Sequence, residues 1–453
     1  MNLWAESENL ELASTSAEQA QKSGTMRRNS TEQAVLPALR SWLLAEYVVP
    51  YCRLLAATRI FRRCIWLDAL GSTRATSKKA GASQEHSESR PYIFDALNGA
   101  EQLERSVSRP NKAAHKPRAE TLPPVLQTIA TLADELARES KPITLQGFAL
   151  DKGKGGSVEK TFVLPKESSV INASWSEAAP ALLPDIEQTA TIFLLNPLAI
   201  TKSSSLVKSE IPFLTADELT PLFQRTAPTE VCLLLMHQQV ERVFLPALRS
   251  PAGAAAFTAL LRSDRWKATL AKESENDSKV GRAIDLWLAS LQPHFPMAQR
   301  ITFPMMTGPA TVEDAPCSLL FATRRHDSLA CMNDAICVYR RRLVQESRRG
   351  ILNEAWFAAQ QAERDVQALQ HLSEDTLREG RARLPRRWPD LRQQLLLDRF
   401  GQWTQSEYDA IICRLLQADE VRCEWRQANQ ENLPCRVPGH EDMLLWQWKK
   451  RRY

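Results

Sequence analysis

Three stretches of this chain carry residue types that could do chemistry. Cys64-Ile-Trp-Leu-Asp68-Ala-Leu-Gly71 is an apolar run that closes on an acid, a glycine and then Ser72. An acid and a glycine at the end of a strand suit a nucleotide-type cofactor. Glycine lets backbone approach the ligand, and amides at the start of a following helix favour anionic groups. A cofactor loop of that kind carries several glycines and this one carries a single one, so an ordinary strand-to-loop turn is an equal reading. Thr191-Ile-Phe-Leu-Leu-Asn196-Pro197-Leu-Ala199 is a second apolar run, ending in a polar loop stiffened by proline. In an open α/β sheet ligands sit outside the carboxyl ends of the strands, which makes Asn196 and Pro197 catalytic candidates. His237 follows a third run, Glu230–Met236. Imidazole is the usual side chain for proton transfer near neutral pH, and a lone histidine after a strand also reads as structural. Trp175, at the end of a strand candidate over Val170–Trp175, joins Asp68, Gly71 and Ser72 on the cofactor side.

Other motifs carry less. Lys152-Gly-Lys-Gly-Gly156 lacks the GxxxxGK[ST] spacing of a phosphate loop and reads as a hairpin or surface loop. Cys423, Cys435 and His440 lack a fourth ligand at a usual spacing, so no metal is expected. The 9 cysteines form no CxxC pair and five of them sit in apolar runs, as buried reduced thiols of a cytoplasmic protein do. Near the C-terminus, Arg414, Arg426, Lys449 and Lys450 are candidate nucleic-acid contacts, but Glu407, Asp409, Asp419 and Glu420 crowd the same unit. A docking role for it therefore stays open beside phosphate contact.

The elements that must position these residues follow from periodicity. The chain has 453 residues, 43% hydrophobic and 25% charged, with a net charge of +5, an ordinary globular balance with no strong bias toward polyanions. Residues 1–33 lack apolar periodicity and read as a disordered arm. No charged-then-apolar leader opens the chain, so secretion is not expected. The apolar segment Val35–Ile60 has helical spacing, a kink at Pro50, and is broken by Arg40, Glu46 and Arg53, which argues against a membrane span. Strands are predicted at 64–70, 143–150, 170–175, 191–195 and 230–236, with 92–95 either a strand or a helix start. Helices are predicted at 125–139, 178–183, 211–225 (a Thr215/Glu218 capping box), 239–248, 253–262 and 278–291. Runs at 297–306 and 317–323 around Gly308-Pro309 predict an antiparallel hairpin, and 327–347 a helix.

The result is an α/β fold, a Rossmann-like doubly wound sheet over 34–347 with a terminal hairpin. Closure by a hairpin is the arrangement of class I, S-adenosylmethionine-dependent methyltransferases. A long polar helix from 351 to 372 and an Arg-rich stretch at 381–387 form a bridge over 348–389. The unit 390–453 predicts a helix at 390–400, a helix opened by a Thr404/Glu407 capping box, and strands at 421–426 and 443–449, which together describe a winged helix-turn-helix.

These motifs in order, WLDALG at 66–71, FLLNPLA at 193–199, TEVCLLL at 229–235 and LLFATRRHDSLACMNDAI at 319–336, resemble the three-Cys-motif partner protein family. The resemblance covers roughly residues 35–426, with Phe321, Thr323, Met332, Asn333 and Asp334 as its cleanest part. It implies a methyltransferase-like protein of a bacterial, mobile-element or phage-linked system. S-adenosylmethionine would lie at Asp68 and Gly71, Asn196 would orient the acceptor, and the acceptor would be nucleic acid or a protein. It also implies a radical-S-adenosylmethionine-like partner carrying a three-cysteine motif. Where the family has D-L-F-A-G-P-G, this chain has Asp68-Ala-Leu-Gly71-Ser-Thr-Arg74; where it has D-P-F/Y-G, this chain has Asn196-Pro-Leu-Ala199. The alternative is a catalytically degenerate Rossmann-like scaffold that binds a partner protein or nucleic acid through its winged helix.

Overall fold

A computed structural model of the chain describes residues 35–71, 122–151, 165, 167–198, 216–261, 263–271, 279–308, 311–348, 354–383, 387–426 and 436–447. The N-terminal arm, Ser72, the 92–95 stretch, the Lys152–Gly156 loop, the Thr215 cap, Lys449 and Lys450 lie outside the described residues.

Continuous apolar runs become strands here because both of their faces are covered. Seven strands form one sheet: β1 (Arg63–Ala69), β2 (Thr144–Leu150), β3 (Ser169–Ile171), β4 (Ala190–Leu195), β5 (Thr229–Met236), β6 (Met297–Gly308) and β7 (Thr311–Thr323). Their order is β3-β2-β1-β4-β5-β7-β6. The first five strands are parallel, and β7 and β6 close the sheet antiparallel. The chain is thus mixed α/β with a mostly parallel seven-stranded sheet flanked by helices, compatible with a Rossmann-like fold.

The strand period of two splits each run between two cores. Cys64 and Trp66 of β1 face one side with Ile192 and Leu194 of β4; Ile65 and Leu67 face the other with Phe193 and Leu195. The first side is covered by α1 (residues 35–57), α2 (Pro124–Ala137) and α9 (His326–Arg348). Within α1 a π-helical stretch at Leu43–Val48 precedes regular helix over Val49–Ala57. Pro50 lacks the N–H of a regular turn, which accounts for the irregularity there. The second side is covered by α3 (Trp175–Asp185), α4 (Ala216–Gln224), α5 (His237–Arg249), α6 (Pro251–Leu261), α7 (Trp266–Ala271) and α8 (Lys279–Leu291).

Several boundaries differ from expectation, among them the start of β7, at Thr311 rather than 317. β3 stops at Ile171 and Trp175 opens α3 rather than ending a strand, because Ser174 and Glu177 form a capping box there. The bridging helix, α10 (Glu354–Arg383), runs eleven residues past its expected end at 372. It is followed by α11 (Trp388–Asp398), α12 (Gln405–Gln417) and an antiparallel ribbon of β8 (Val421–Glu424) with β9 (Met443–Trp446). The Thr404/Glu407 capping box forms as expected.

The C-terminal helices do not build a separate core. Leu372, Trp388, Leu395, Ile412, Val421 and Trp446 belong to the same buried cluster as the α1 face of the sheet. α9 fixes the junction with polar contacts. Buried Asn333 accepts from Gly401 N at 2.8 Å and donates to Trp403 O at 2.7 Å, and Gln405 N donates to Asp334 Oδ1 at 2.8 Å. No helix among the described residues is long and apolar enough to cross a membrane.

Candidate functional site

Strand order reverses between β1 and β4, where a parallel sheet opens a crevice at its carboxyl end. The two strands run in register with Ala69 beside Leu195, so Gly71 and Asn196 leave adjacent strands at one rim. β5 lies next to β4, and His237 follows its last residue at the same end. The structure therefore brings Asp68, Gly71, Asn196, Pro197 and His237 together along one edge.

Their side chains are committed to the fold. Asp68 is fully buried. Its Oδ2 lies 2.6 Å from Arg40 Nε and its Oδ1 3.2 Å from Arg40 Nη2. Leu70 N donates to Oδ1 at 3.0 Å, and Arg40 Nη2 also donates to Gly71 O at 3.0 Å. Arg40 projects from α1, the helix laid over this face of the sheet, and is itself only 7% exposed. Gly71 sits in the left-handed region (φ 71°), with open space where a Cβ would stand.

Asn196 closes a turn on itself: its Oδ1 accepts from Leu198 N at 2.9 Å, an Asx-turn. Its amide nitrogen donates to Gln239 Oε1 at 3.1 Å, tying the loop after β4 to the first turn of α5. His237 Nε2 lies 2.9 Å from Ser318 Oγ on β7. Burial, reinforced by Arg300, lowers the imidazole pKa, against a smaller upward pull from Asp314. The ring is therefore held neutral near pH 7 and spends Nε2 on the sheet.

Trp175 is buried on the opposite face. Its ring meets Phe193 edge-on at 5.9 Å and lines a groove between α3 and α4. Both oxygens of Asp68 are engaged by Arg40 and the group is fully buried, so the described residues do not present that acid to a ribose or an amine.

In the C-terminal unit, Arg414 and Arg426 are exposed and carry no ion pair among the described residues. Around them the charges are paired: Arg392 with Asp409, Arg381 with Glu420, Arg422 with Asp419. Among the described residues no group of three or more His, Cys, Asp or Glu is gathered as a metal would need. Seven cysteines are free thiols and Cys413 is disulfide-bonded, which departs from the all-thiol expectation.

Sequence reasoning missed Arg40 and Glu230. Glu230, the one acid in the β5 run, is fully buried. It accepts from Tyr51 Oη and from Ser328 Oγ, each at 2.7 Å, and Tyr47 Oη lies 2.9 Å from the same Ser328 hydroxyl. Burial raises its pKa to about 7 despite those hydrogen bonds, a further one to Thr323, and the Arg325 charge. A charged residue inside an apolar run was the available signal at both positions. No family model, no curated protein and no solved structure matches the chain.

Proposed function

We propose that this chain is a Rossmann-like, methyltransferase-type scaffold of the three-Cys-motif partner kind. Its rim residues have been turned to holding the fold, and it acts by binding a partner protein. The observation that carries this reading is the closure of Arg40 on Asp68, which takes both oxygens of the acid that a nucleotide cofactor would need. The sheet order with its antiparallel closing pair supports the methyltransferase-type ancestry. The helices α11 and α12 with their ribbon support a winged-helix assignment. The paired charges around α12 favour a protein, such as a radical-S-adenosylmethionine-like protein with a three-cysteine motif, over nucleic acid as what that unit meets.

Calorimetric titration with S-adenosylmethionine is the test. Absence of binding at millimolar ligand is the expected result. Micromolar binding that disappears in Asp68→Ala would overturn the scaffold reading.

One observation favours the enzymatic reading as runner-up. Gly71 and Asn196 stand side by side at the crevice, with open space at Gly71 for a close backbone approach. On that reading S-adenosylmethionine lies over Gly71 and Asn196 orients an acceptor on nucleic acid or protein. The same titration separates the two readings.

A further inference from the structure

At the edge of the sheet opposite the rim, the turn from α1 into β1 and the turn from α2 into β2 lie side by side. Arg53 Nε, near the end of α1, donates to Glu139 Oε1 at 2.8 Å, and Thr144 N donates to Arg62 O at 2.9 Å. Arg59, Arg62, Arg138 and Lys141 are exposed on these two turns, and none has an ion pair among the described residues. Glu139, the acid between them, is taken by Arg53. Asp134 and Glu135, further back on α2, pair with none of the four. In the C-terminal unit, by contrast, Arg392, Arg381 and Arg422 each meet a carboxylate.

Cations near a helix C-terminus ordinarily answer the negative end of the helix dipole, within the last turn. That accounts for Arg138, which caps α2. It does not reach Arg62 or Lys141, which stand beyond the helix ends. Arg59 has φ 59°, a left-handed conformation that glycine or asparagine takes at less cost. Ile60 beside it is 76% exposed, the highest value among the large hydrophobic residues described. Neither side chain serves the turn, which Thr58 makes: its Oγ1 donates to Leu55 O at 2.7 Å and accepts from Ile60 N at 3.4 Å.

The chemistry of this tip selects its partner. Arginine presents a planar fork that fits phosphate oxygens, and three of the four cations are arginines. The charges are spread over two turns, which suits an extended polyanion more than a small anion. One aliphatic side chain buries too little to hold the chain on a bilayer surface. We propose that the α1–β1 and α2–β2 turns together form a nucleic-acid contact surface. Arg59, Arg62, Arg138 and Lys141 meet backbone phosphates of a duplex, and Ile60 rests against the sugars between them. Contacts of this kind position a protein on a duplex without reading its sequence. The surface is independent of the rim, of the C-terminal unit and of the scaffold reading.

The test is fluorescence anisotropy of the full chain with a labelled duplex of about 20 base pairs, in salt from about 50 to 200 mM. Binding is expected at the low end, with a log–log salt slope of roughly −3.6 for four phosphates. Arg59→Glu with Arg62→Glu should weaken binding roughly tenfold or more and flatten the slope. Arg414→Glu with Arg426→Glu makes the same change in net charge within the C-terminal unit and should weaken binding far less. Both double variants should keep the wild-type far-ultraviolet spectrum. A duplex of scrambled sequence should bind equally. No binding at low salt, equal weakening by the two folded double variants, or tighter capture by phosphatidylglycerol vesicles than by the duplex would each overturn the proposal.

Discussion

Arg40 and Asp68 stand 28 residues apart in the chain and meet as a buried pair, Nε to Oδ2 at 2.6 Å, with the spare Arg40 nitrogen on the carbonyl of Gly71. The pair pins α1 across the exit of the first strand and shapes the loop that follows. Removing one partner strands a buried charge, which costs about 3–5 kcal/mol. Arg40→Met is therefore expected to lower the unfolding free energy by about that much. Arg40→Met with Asp68→Leu should recover most of the loss, since neither charge remains. Denaturant titration of the single and double variants checks this; a double variant as unstable as the sum of the singles would refute it.

Glu230 makes stability depend on pH in a direction opposite to the usual carboxylate. Its folded pKa is about 7, above the ordinary value of 4.5. The protonated form is thus favoured in the fold. That contribution is complete below the unfolded value and is lost as pH rises through about 7. The wild-type chain is expected to lose on the order of 3 kcal/mol between pH 5 and pH 9 from this group. Glu230→Gln keeps the shape and removes the titration, so the difference between the two stability profiles isolates it. A difference that stays flat across this window would show that the hydroxyls and Arg325 carry the ionised form at no cost.

The junction between α9 and the turn before α12 rests on one glycine. Gly401 has φ 73°, and a Cβ there would stand 2.8 Å from Ile336 Cγ2 and 3.0 Å from Arg340 Nη1. Gly401→Ala is expected to destabilise the junction by more than 1 kcal/mol, through strain and overlap together. Asn333→Leu orphans Gly401 N and Trp403 O, at about 1–3 kcal/mol for each buried group. Hydrogen exchange should report a larger acceleration in α11 and α12 than in β1 and β4 in both variants. Uniform acceleration over the whole chain would point to a general loss of stability instead.

His237 should stay neutral below the pH at which free histidine charges. Burial and Arg300 set this direction. Nitrogen chemical shifts of the imidazole across pH 5–7.5 read it directly, and a midpoint at or above 6.5 would contradict the environment described.

The sheet was legible because β1, β4 and β5 are buried on both faces, so they read as unbroken apolar runs. The closing hairpin was legible from two apolar runs on either side of the Gly308-Pro309 turn. Trp175 was placed at a strand's end because the short β3 offers only three residues of pattern, although Ser174 and Glu177 carried the helix-start signal. The bridging helix ran past its expected end because Arg381 and Arg383 are good helix formers and the stop lies nearer Pro385. The strands that Asp68, Asn196 and His237 end or follow are plain in the sequence, yet what these side chains touch was hidden. Asp68 takes its partner from α1, Asn196 from α5 and His237 from β7, and no local spacing encodes contacts of that range.

The hydrophobic interior that passes without a seam from the α1 face into α10, α11, α12 and the ribbon has a mechanical meaning. The ribbon cannot swing like a tool on a hinge; it travels with the sheet. The ribbon is thereby held at a set span from the strands whose faces it shares a core with. Cutting the chain between α9 and α10 would strip away a wall on which the sheet leans.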